Sequence, residues 1–205
     1  MKKLESTITN MVVVLVGVAL VTGSILAYVN HVTEEPIKLQ AEKTLADGIK
    51  AVMGGVELTV AKDDTVRQNV AGKETTFVIH EAVGADKVPL GAAVESTAGG
   101  FGGDLKVLVG FDTDGKILGY TVLQHAETPG LGAKADKWFQ KDGKGCIIGK
   151  SPATDKLTVK KDGGDIDAIT ASTITSRAFL LAVTQAYQAY KSVPVDAHTG
   201  ATGKH

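Results

Sequence analysis

An uncharged run near the start of the chain constrains its fold more than any other feature. No charged side chain occurs from Ser6 to Asn30, and Ile8 to Val29 consists mainly of Val, Leu, Ile, Ala, Gly and Met. As an α-helix this stretch would extend over roughly 33 Å, which is about the thickness of the hydrocarbon core of a bilayer. The sequence therefore predicts one N-terminal transmembrane helix in front of a separate domain.

A cleaved signal peptide is the alternative for this segment. Its apolar part would span only ~7–15 residues and would end in a cleavage site of small residues. The run observed here is longer, and Asn30 and His31 follow it instead of small residues. Tyr28 is a residue type that suits a membrane interface. These features favour an uncleaved anchor over residues 1–30.

The distribution of charge predicts the orientation of the chain in the membrane and limits the classes of partner it can have. Lys2 and Lys3 precede the apolar run and predict a cytoplasmic N-terminus, with the domain outside the cytoplasm. In a two-membrane bacterium this arrangement corresponds to an inner-membrane protein with its domain on the periplasmic side. Membrane lipid is then the expected partner of the N-terminal helix. The formal net charge is −1 and there is no long basic run, which argues against nucleic acid as a partner.

A second helix is predicted after the anchor. Pro36 follows two acidic residues, and this order is typical of the first turn of a helix. Apolar residues then recur at helical spacing until Gly54, which is typical of a helix end. Residues 31–55 are therefore predicted to form a connecting helix.

The rest of the chain predicts an α+β domain over residues 56–193, with a mainly antiparallel sheet, flanking helices and a flexible tail over 194–205. Residues 56–75 are polar and give no clear assignment. The predicted strands are Thr76–Val83, Leu105–Phe111, Ile117–Leu123 and a short Leu157–Val159, with a hairpin turn between the second and third. The predicted helices are Ala135–Lys141 and Thr175–Lys191.

Hydroxyl residues cluster where the last helix is predicted to begin. They occupy five of the seven positions from 170 to 176, namely Thr170, Ser172, Thr173, Thr175 and Ser176. Free backbone N–H groups, the positive end of the helix dipole and hydroxyl donors together suit a phosphate group. An ordinary Ser/Thr-rich helix cap is the alternative, and physical chemistry alone leaves both open.

The residues around this cluster resemble a motif of the FMN-binding domain family. Asp167-x-x-Thr170-Ala171-Ser172-Thr173 is similar to the family's flavinylation motif, Asp-x-x-Ser/Thr-Gly-Ala-Thr. The resemblance implies that a flavin transferase takes FMN from FAD and esterifies its phosphate to Thr173. Ala171 and Ser172 stand where glycine and alanine are usual, so small residues are kept at both places.

A second segment also matches the motif. Residues 196–202 fit its letters more closely and end at Thr202. However, only three residues follow Thr202, so no helix can form there to receive a phosphate. Short patterns of common small residues recur by chance. Thr173 is therefore the predicted attachment site.

Two more segments within residues 90–190 are similar to the same family. Residues 100–110 resemble its Gly-aromatic-Gly-Gly strand start, and residues 125–132 resemble a signature loop that lies near the flavin. The resemblance implies that Glu127, Thr128, Leu131 and Gly132 contact the flavin, while Trp138 is a candidate to cover the flavin ring. Alternatively, Glu127 and Thr128 only shape a turn, and Trp138 is an ordinary core residue.

The resemblance is closest to one branch of the family, the G subunits of Rnf electron-transport complexes. It implies a one-cofactor electron carrier with covalent FMN, which works with other membrane subunits to couple ferredoxin/NAD electron transfer to sodium or proton translocation. The alternatives are the C subunit of a sodium-pumping NADH:quinone reductase and a membrane-tethered FMN module without a pump. The sequence offers no catalytic residue and no metal site within the chain itself, because the histidines are scattered and Cys146 is the single cysteine.

Overall fold

The computed structural model describes residues 7–55, 58–70, 73–86 and 88–191. The chain divides into two compact units, Met1–Thr44 and Leu45–His205, so the boundary falls within the predicted connecting helix. Helix α1 (Ile8–Val52) begins in the first unit and contributes its last residues to the second. The second unit also contains strands β1 (Thr59–Val70), β2 (Lys73–Val83), β3 (Pro89–Gly99), β4 (Asp104–Phe111) and β5 (Ile117–Gln124), helices α2 (Ala135–Trp138) and α3 (Thr173–Tyr190), and 3-10 turns at Gly132–Lys134 and Lys160–Asp162.

Helix α1 is long and apolar enough to cross a membrane, and none of its most apolar window is buried. The prediction of a separate helix that begins near Pro36 is wrong, because α1 continues through this residue. A proline removes one backbone N–H bond, but the turns on either side keep theirs. Lys38 pairs with Glu34 at 2.6 Å across this position, at the i,i+4 spacing of a continuous helix.

The five strands form one antiparallel sheet in the order β1-β2-β3-β4-β5. The predicted antiparallel sheet with flanking helices is therefore confirmed. The strands β4 and β5 match their predicted bounds closely, and the predicted strand Thr76–Val83 forms most of β2. The strands β1 and β3 were not identified from the sequence.

Helix α3 packs against one face of the sheet. Its Phe179 and Val183 are fully buried in one cluster with Val94 of β3 and Val107 of β4. The ring of Phe179 also stacks on Phe139, with 4.3 Å between the ring centroids. This packing sets the position of α3 relative to the strands that precede the site.

The last two turns of α1 pack against the opposite face. Ile49 and Val52 are buried there with Ala93 and Leu108. A side chain at Gly110 would collide with the backbone carbonyl of Val52, so glycine at this strand position allows the helix end to lie against β4. The sheet of the second unit is thus covered on both faces by helical residues of that unit.

One predicted helix is shorter than expected. Helix α2 ends at Trp138 instead of Lys141, because turn hydrogen bonds replace the helical ones, such as Gly143 N–H to Gln140 O at 2.8 Å. Tyr120 of β5 holds α2 in place by donating to the Ala135 carbonyl at 2.6 Å and accepting from the Phe139 N–H at 3.2 Å.

The predicted strand Leu157–Val159 is wrong. Val159 forms an isolated parallel bridge with Ile166, and the 3-10 turn that begins at Lys160 ends any extension of it.

Helix α3 begins two residues earlier than predicted, so Thr173 is its first residue. The predicted tail over 194–205, including Thr202, lies outside the described residues, as do Lys2 and Lys3.

Candidate functional site

The N-terminal end of α3 keeps polar groups that the helix does not use. Ser172 occupies the cap position, but its side chain makes no capping hydrogen bond. Its carbonyl accepts instead from the N–H and hydroxyl of Ser176, at 3.0 and 2.9 Å. Because the first N–H groups of an α-helix have no partner within the helix, this end offers donors and a positive field to an anion.

The loop in front of α3 has a constrained shape. Ala171 has φ of 61° and is the one non-glycine residue with positive φ among the described residues. The neighbouring turn is held by the Ser172 N–H to Ile169 O bond at 3.0 Å and by the Ile169 N–H to Ser176 Oγ bond at 2.9 Å. The left-handed conformation is unfavourable by about 1–2 kcal/mol for a residue with a Cβ atom, whereas glycine adopts it without this strain.

A cavity of about 380 Å³ opens beside this helix end. Thr173 is half-buried and Ser172 is buried at its wall. Neither hydroxyl has a hydrogen-bond partner in the part of the chain that the structure describes, so both are available to a ligand. The described residues that line the cavity are Phe101, Glu127, Thr128, Leu131, Gly132, Ala171, Ser172, Thr173, Ile174 and Thr175.

Glu127 joins three parts of the cavity wall. Its Oε1 accepts hydrogen bonds from the N–H of Phe101 at 2.7 Å and from that of Gly102 at 3.3 Å. Its Oε2 accepts from the hydroxyl of Thr175 at 2.7 Å. Glu127 is only 6% exposed, and it is the one ionisable side chain among the described lining residues.

Most residues predicted to bind the flavin meet at this cavity. Thr173, Ser172 and Thr175 line it from α3, and Glu127, Thr128, Leu131 and Gly132 line it from the signature loop. Thr170 is exposed and Ser176 is fully buried, and neither is among the described lining residues. The hydroxyl of Ser176 is used in the loop bonds described above, which is a structural role.

Trp138 lies elsewhere. It lines a second cavity of about 540 Å³ together with Pro129 and Gly130 of the signature loop. Its indole N–H donates to the carbonyl of Asp167 at 2.8 Å, which fastens the first residue of the motif. A contact between Trp138 and a flavin ring therefore stays a prediction, while its hydrogen bond to the motif is a feature of the structure.

Three lining residues were not predicted from the sequence. Phe101 is 69% exposed and Ile174 is 51% exposed, and with Leu131 at 41% they give the cavity an apolar rim. Ala171 completes the wall beside Thr173. The signal for Phe101 was its place between glycines in the Gly-aromatic-Gly-Gly pattern, and the signal for Ile174 was its place directly after the motif.

Comparison with known proteins assigns the region that contains the cavity to a known domain family. Residues 100–188 match the family model for the FMN-binding domain. The chain is 35% identical over 184 residues to the G subunit of the ion-translocating oxidoreductase complex of Vibrio parahaemolyticus, covering 80% of this chain and 81% of that protein. The chain belongs to this family of G subunits.

Other G subunits match over similar lengths. The protein from Shewanella baltica is 36% identical over 180 residues, which is 82% of each chain. The one from Yersinia pestis is 34% identical over 176 residues, which covers 82% of this chain and 83% of the relative. The described residues that line the 380 Å³ cavity all fall within the matched FMN-binding domain.

Proposed function

We propose that this chain carries one FMN, attached as a phosphoester to Oγ1 of Thr173, and that it passes electrons within an Rnf-type membrane complex. The observation that supports this most strongly is the position of Thr173. It is the first residue of α3, and its unpaired hydroxyl lines the cavity of the FMN-binding domain.

The helix end suits the flavin phosphate. A phosphodiester on Thr173 carries one negative charge, and the free N–H groups of the first turn of α3 can donate to its oxygens. The hydroxyl of Ser172 is a further donor at the same wall. Because no cationic side chain is among the described lining residues, the helix end supplies the main compensation for this charge.

Attachment follows a balanced group transfer by a flavin transferase. The Thr173 hydroxyl attacks the FMN phosphorus of FAD, so one Oγ1–P bond forms and the pyrophosphate P–O bond breaks. AMP leaves, and the hydroxyl proton is released. Thr173 is half-buried and lies at the cavity wall, which leaves its hydroxyl accessible to a modifying enzyme.

The apolar rim suits the flavin ring. Phe101, Leu131 and Ile174 expose large apolar surfaces around the cavity, and a planar ring system gains from contact with aromatic and aliphatic side chains. When bound, FMN supplies the electron-transfer chemistry. The chain's own residues hold it at the helix end and keep part of it out of water.

The assembly follows from the family. The relatives are subunits of ion-translocating oxidoreductase complexes, so the partners of this chain are the other membrane subunits of such a complex. Its apolar α1 anchors it in the bacterial inner membrane with the domain on the periplasmic side. Its electron transfer belongs to a path between ferredoxin and NAD that drives sodium or proton translocation.

A denaturing gel tests the cofactor and its residue together. The full-length chain is co-expressed with a flavin transferase, and the fluorescence of its band is measured after denaturation. We expect fluorescent bands for the wild type, Thr170→Ala and Thr202→Ala, and none for Thr173→Ala. A fluorescent Thr173→Ala band, or a dark wild-type band, would contradict the proposal.

Co-purification tests the carrier role separately. The tagged full-length chain is isolated from detergent-solubilised native membranes, with Thr173→Ala as the matched control. Both proteins should bring the other membrane subunits with them, but only the wild type should be reduced when electrons enter the complex. A wild-type chain that purifies without any membrane subunit would rule out the carrier role.

A further inference from the structure

Glu127 is a buried acid to which the proposed attachment of FMN at Thr173 assigns no role. It lies in the wall of the cavity and is only 6% exposed. We infer that Glu127 lowers the midpoint potential of the bound flavin by placing a fixed negative charge in the cavity wall. This inference rests on the proposed function, since it needs FMN in the cavity.

The hydrogen bonds of Glu127 suit an ionised carboxylate. Two backbone N–H groups donate to Oε1, and the hydroxyl of Thr175 donates to Oε2. A protonated carboxyl would need an acceptor for its own proton, whereas an ionised one only accepts. The two backbone N–H groups can only donate, and the Thr175 hydroxyl can donate the third bond, so an ionised Glu127 is held by three hydrogen bonds while it stays out of water.

The charge is also held in one place. A side-chain carbon at Gly132 would collide with Oε2 of Glu127 and would lie 2.7 Å from Oγ1 of Thr175. A side-chain carbon at Gly100 would collide with Oε1. The two glycines therefore let the loops close tightly around the carboxylate, and little room is left for it to turn away from the cavity.

A fixed negative charge makes reduction of a nearby flavin less favourable. Full reduction adds two electrons to FMN together with one or two protons from water, so negative charge builds up unless both protons are taken up. Buried charges are screened less by salt than exposed ones, and the Debye length is ~8 Å at physiological ionic strength. No cationic side chain is among the described lining residues, so no opposite side-chain charge at the wall neutralises Glu127.

A matched pair of variants separates charge from shape. Glu127→Gln keeps the size and removes the charge, because its carbonyl can accept both backbone bonds and the Thr175 hydroxyl can accept from its amide. Glu127→Asp keeps the charge but shortens the side chain by one methylene. The full-length, FMN-loaded proteins are titrated with dithionite as the electron donor, and flavin absorbance, read against the solution potential at an electrode, gives each midpoint potential.

The expected result is a higher midpoint potential for Glu127→Gln than for the wild type, with Glu127→Asp remaining below Glu127→Gln. A Glu127→Gln protein that is loaded with FMN and has the wild-type potential overturns the inference. If only Glu127→Asp departs from the wild type, the residue acts by shape alone, and the inference is again overturned. A wild-type protein that carries no FMN would instead defeat the proposed function.

A second pair keeps the inference testable if Glu127→Gln is not loaded. Thr128 lines the same cavity and is exposed, so substitutions there disturb little packing. Thr128→Lys adds a positive charge that offsets Glu127, and Thr128→Gln is its uncharged control. The lysine variant should have the higher midpoint potential, and equal potentials would show that wall charge does not set this property.

Discussion

The hydroxyl of Thr175 donates a 2.7 Å hydrogen bond to Oε2 of Glu127, which lies 48 positions earlier in the chain. Both side chains are buried, with Thr175 only 1% exposed. The bond connects the first turn of α3 to the signature loop, and these are the two elements that carry most of the cavity wall. It therefore couples the position of Thr173 to the shape of the cavity beside it.

Removing this bond should destabilise the domain. Thr175→Val keeps the shape of the side chain but leaves a buried carboxylate without one donor, at a cost of about 1–3 kcal/mol in the free energy of unfolding. Thr175→Ser retains the hydroxyl and is the matched control. Urea denaturation should place Thr175→Ser between the wild type and Thr175→Val. Equal stabilities of all three would mean that the bond contributes nothing.

The backbone at Ala171 should be stabilised by glycine. Its φ of 61° lies in the left-handed region, so Ala171→Gly should raise the free energy of unfolding by about 1 kcal/mol. Ala153→Gly is the control, because Ala153 is exposed and is not among the residues with positive φ. It should be neutral or slightly destabilising, because glycine increases the freedom of the unfolded chain. A destabilised Ala171→Gly would contradict this explanation.

Crowding at Gly132 should make the cavity intolerant of a side chain. The added carbon in Gly132→Ala would meet Glu127 and Thr175, so we expect a loss of about 1–3 kcal/mol in stability together with reduced FMN loading. Gly99→Ala is a suitable control, because nothing lies within 4 Å of the added carbon and its φ is not positive. Stability follows from urea denaturation, and loading follows from flavin absorbance. Wild-type loading in Gly132→Ala would contradict the prediction.

A charge cluster on the sheet should make stability depend on pH. His80 lies between Asp63 at 2.6 Å and Glu95 at 3.1 Å, and Glu95 also pairs with Lys106. Burial lowers the pKa of His80, but its hydrogen bonds to Glu95 and Asp63 outweigh this effect and raise the pKa above 6.5. Burial likewise raises the pKa of Glu95, but His80 and Lys106 lower it below 4.5.

The signs of these shifts define a pH window. Because the pKa of His80 is higher in the folded protein than in the unfolded chain, its protonation stabilises the fold. This stabilisation is complete below pH 6.5 and is lost as pH rises through the pKa of His80 in the folded protein. The contribution of Glu95 is present above pH 4.5 and is lost as pH falls. The free energy of unfolding of His80→Gln should therefore fall furthest below that of the wild type between pH 4.5 and pH 6.5. The expected difference there is about 1–3 kcal/mol, and it should be smaller at about pH 9. Denaturation curves at several pH values measure this, and a constant difference would contradict it.

The elements with strong local patterns were predictable. Helix α3 has an apolar face at helical spacing, and β4 and β5 have β-rich segments separated by a turn. The strand β1 was missed because most of its side chains are exposed or half-buried and polar. The strand β3 was missed because it consists largely of small residues that are buried, and these give no alternation of apolar and polar positions.

The site was predictable where a motif marks it and not where distant residues meet. The position of Thr173 at the beginning of α3, beside the signature loop, followed from the motif around it, and its role as the attachment site stays a prediction. By contrast, the bonds from Phe101 and Thr175 to Glu127 join positions that are far apart in sequence, and only the folded chain brings them together. The same holds for Trp138, whose hydrogen bond to Asp167 determines where its ring lies.

The most direct test of the central claim is a peptide map of the full-length chain after co-expression with a flavin transferase. Trypsin cleaves after Lys161 and Arg177, so one peptide, Asp162–Arg177, contains Thr173 and its neighbouring hydroxyls. We predict that this peptide carries one FMN joined with loss of water, and that fragment ions assign it to Thr173. An adduct on the peptide that contains Thr202, or no adduct on either peptide, would contradict the account.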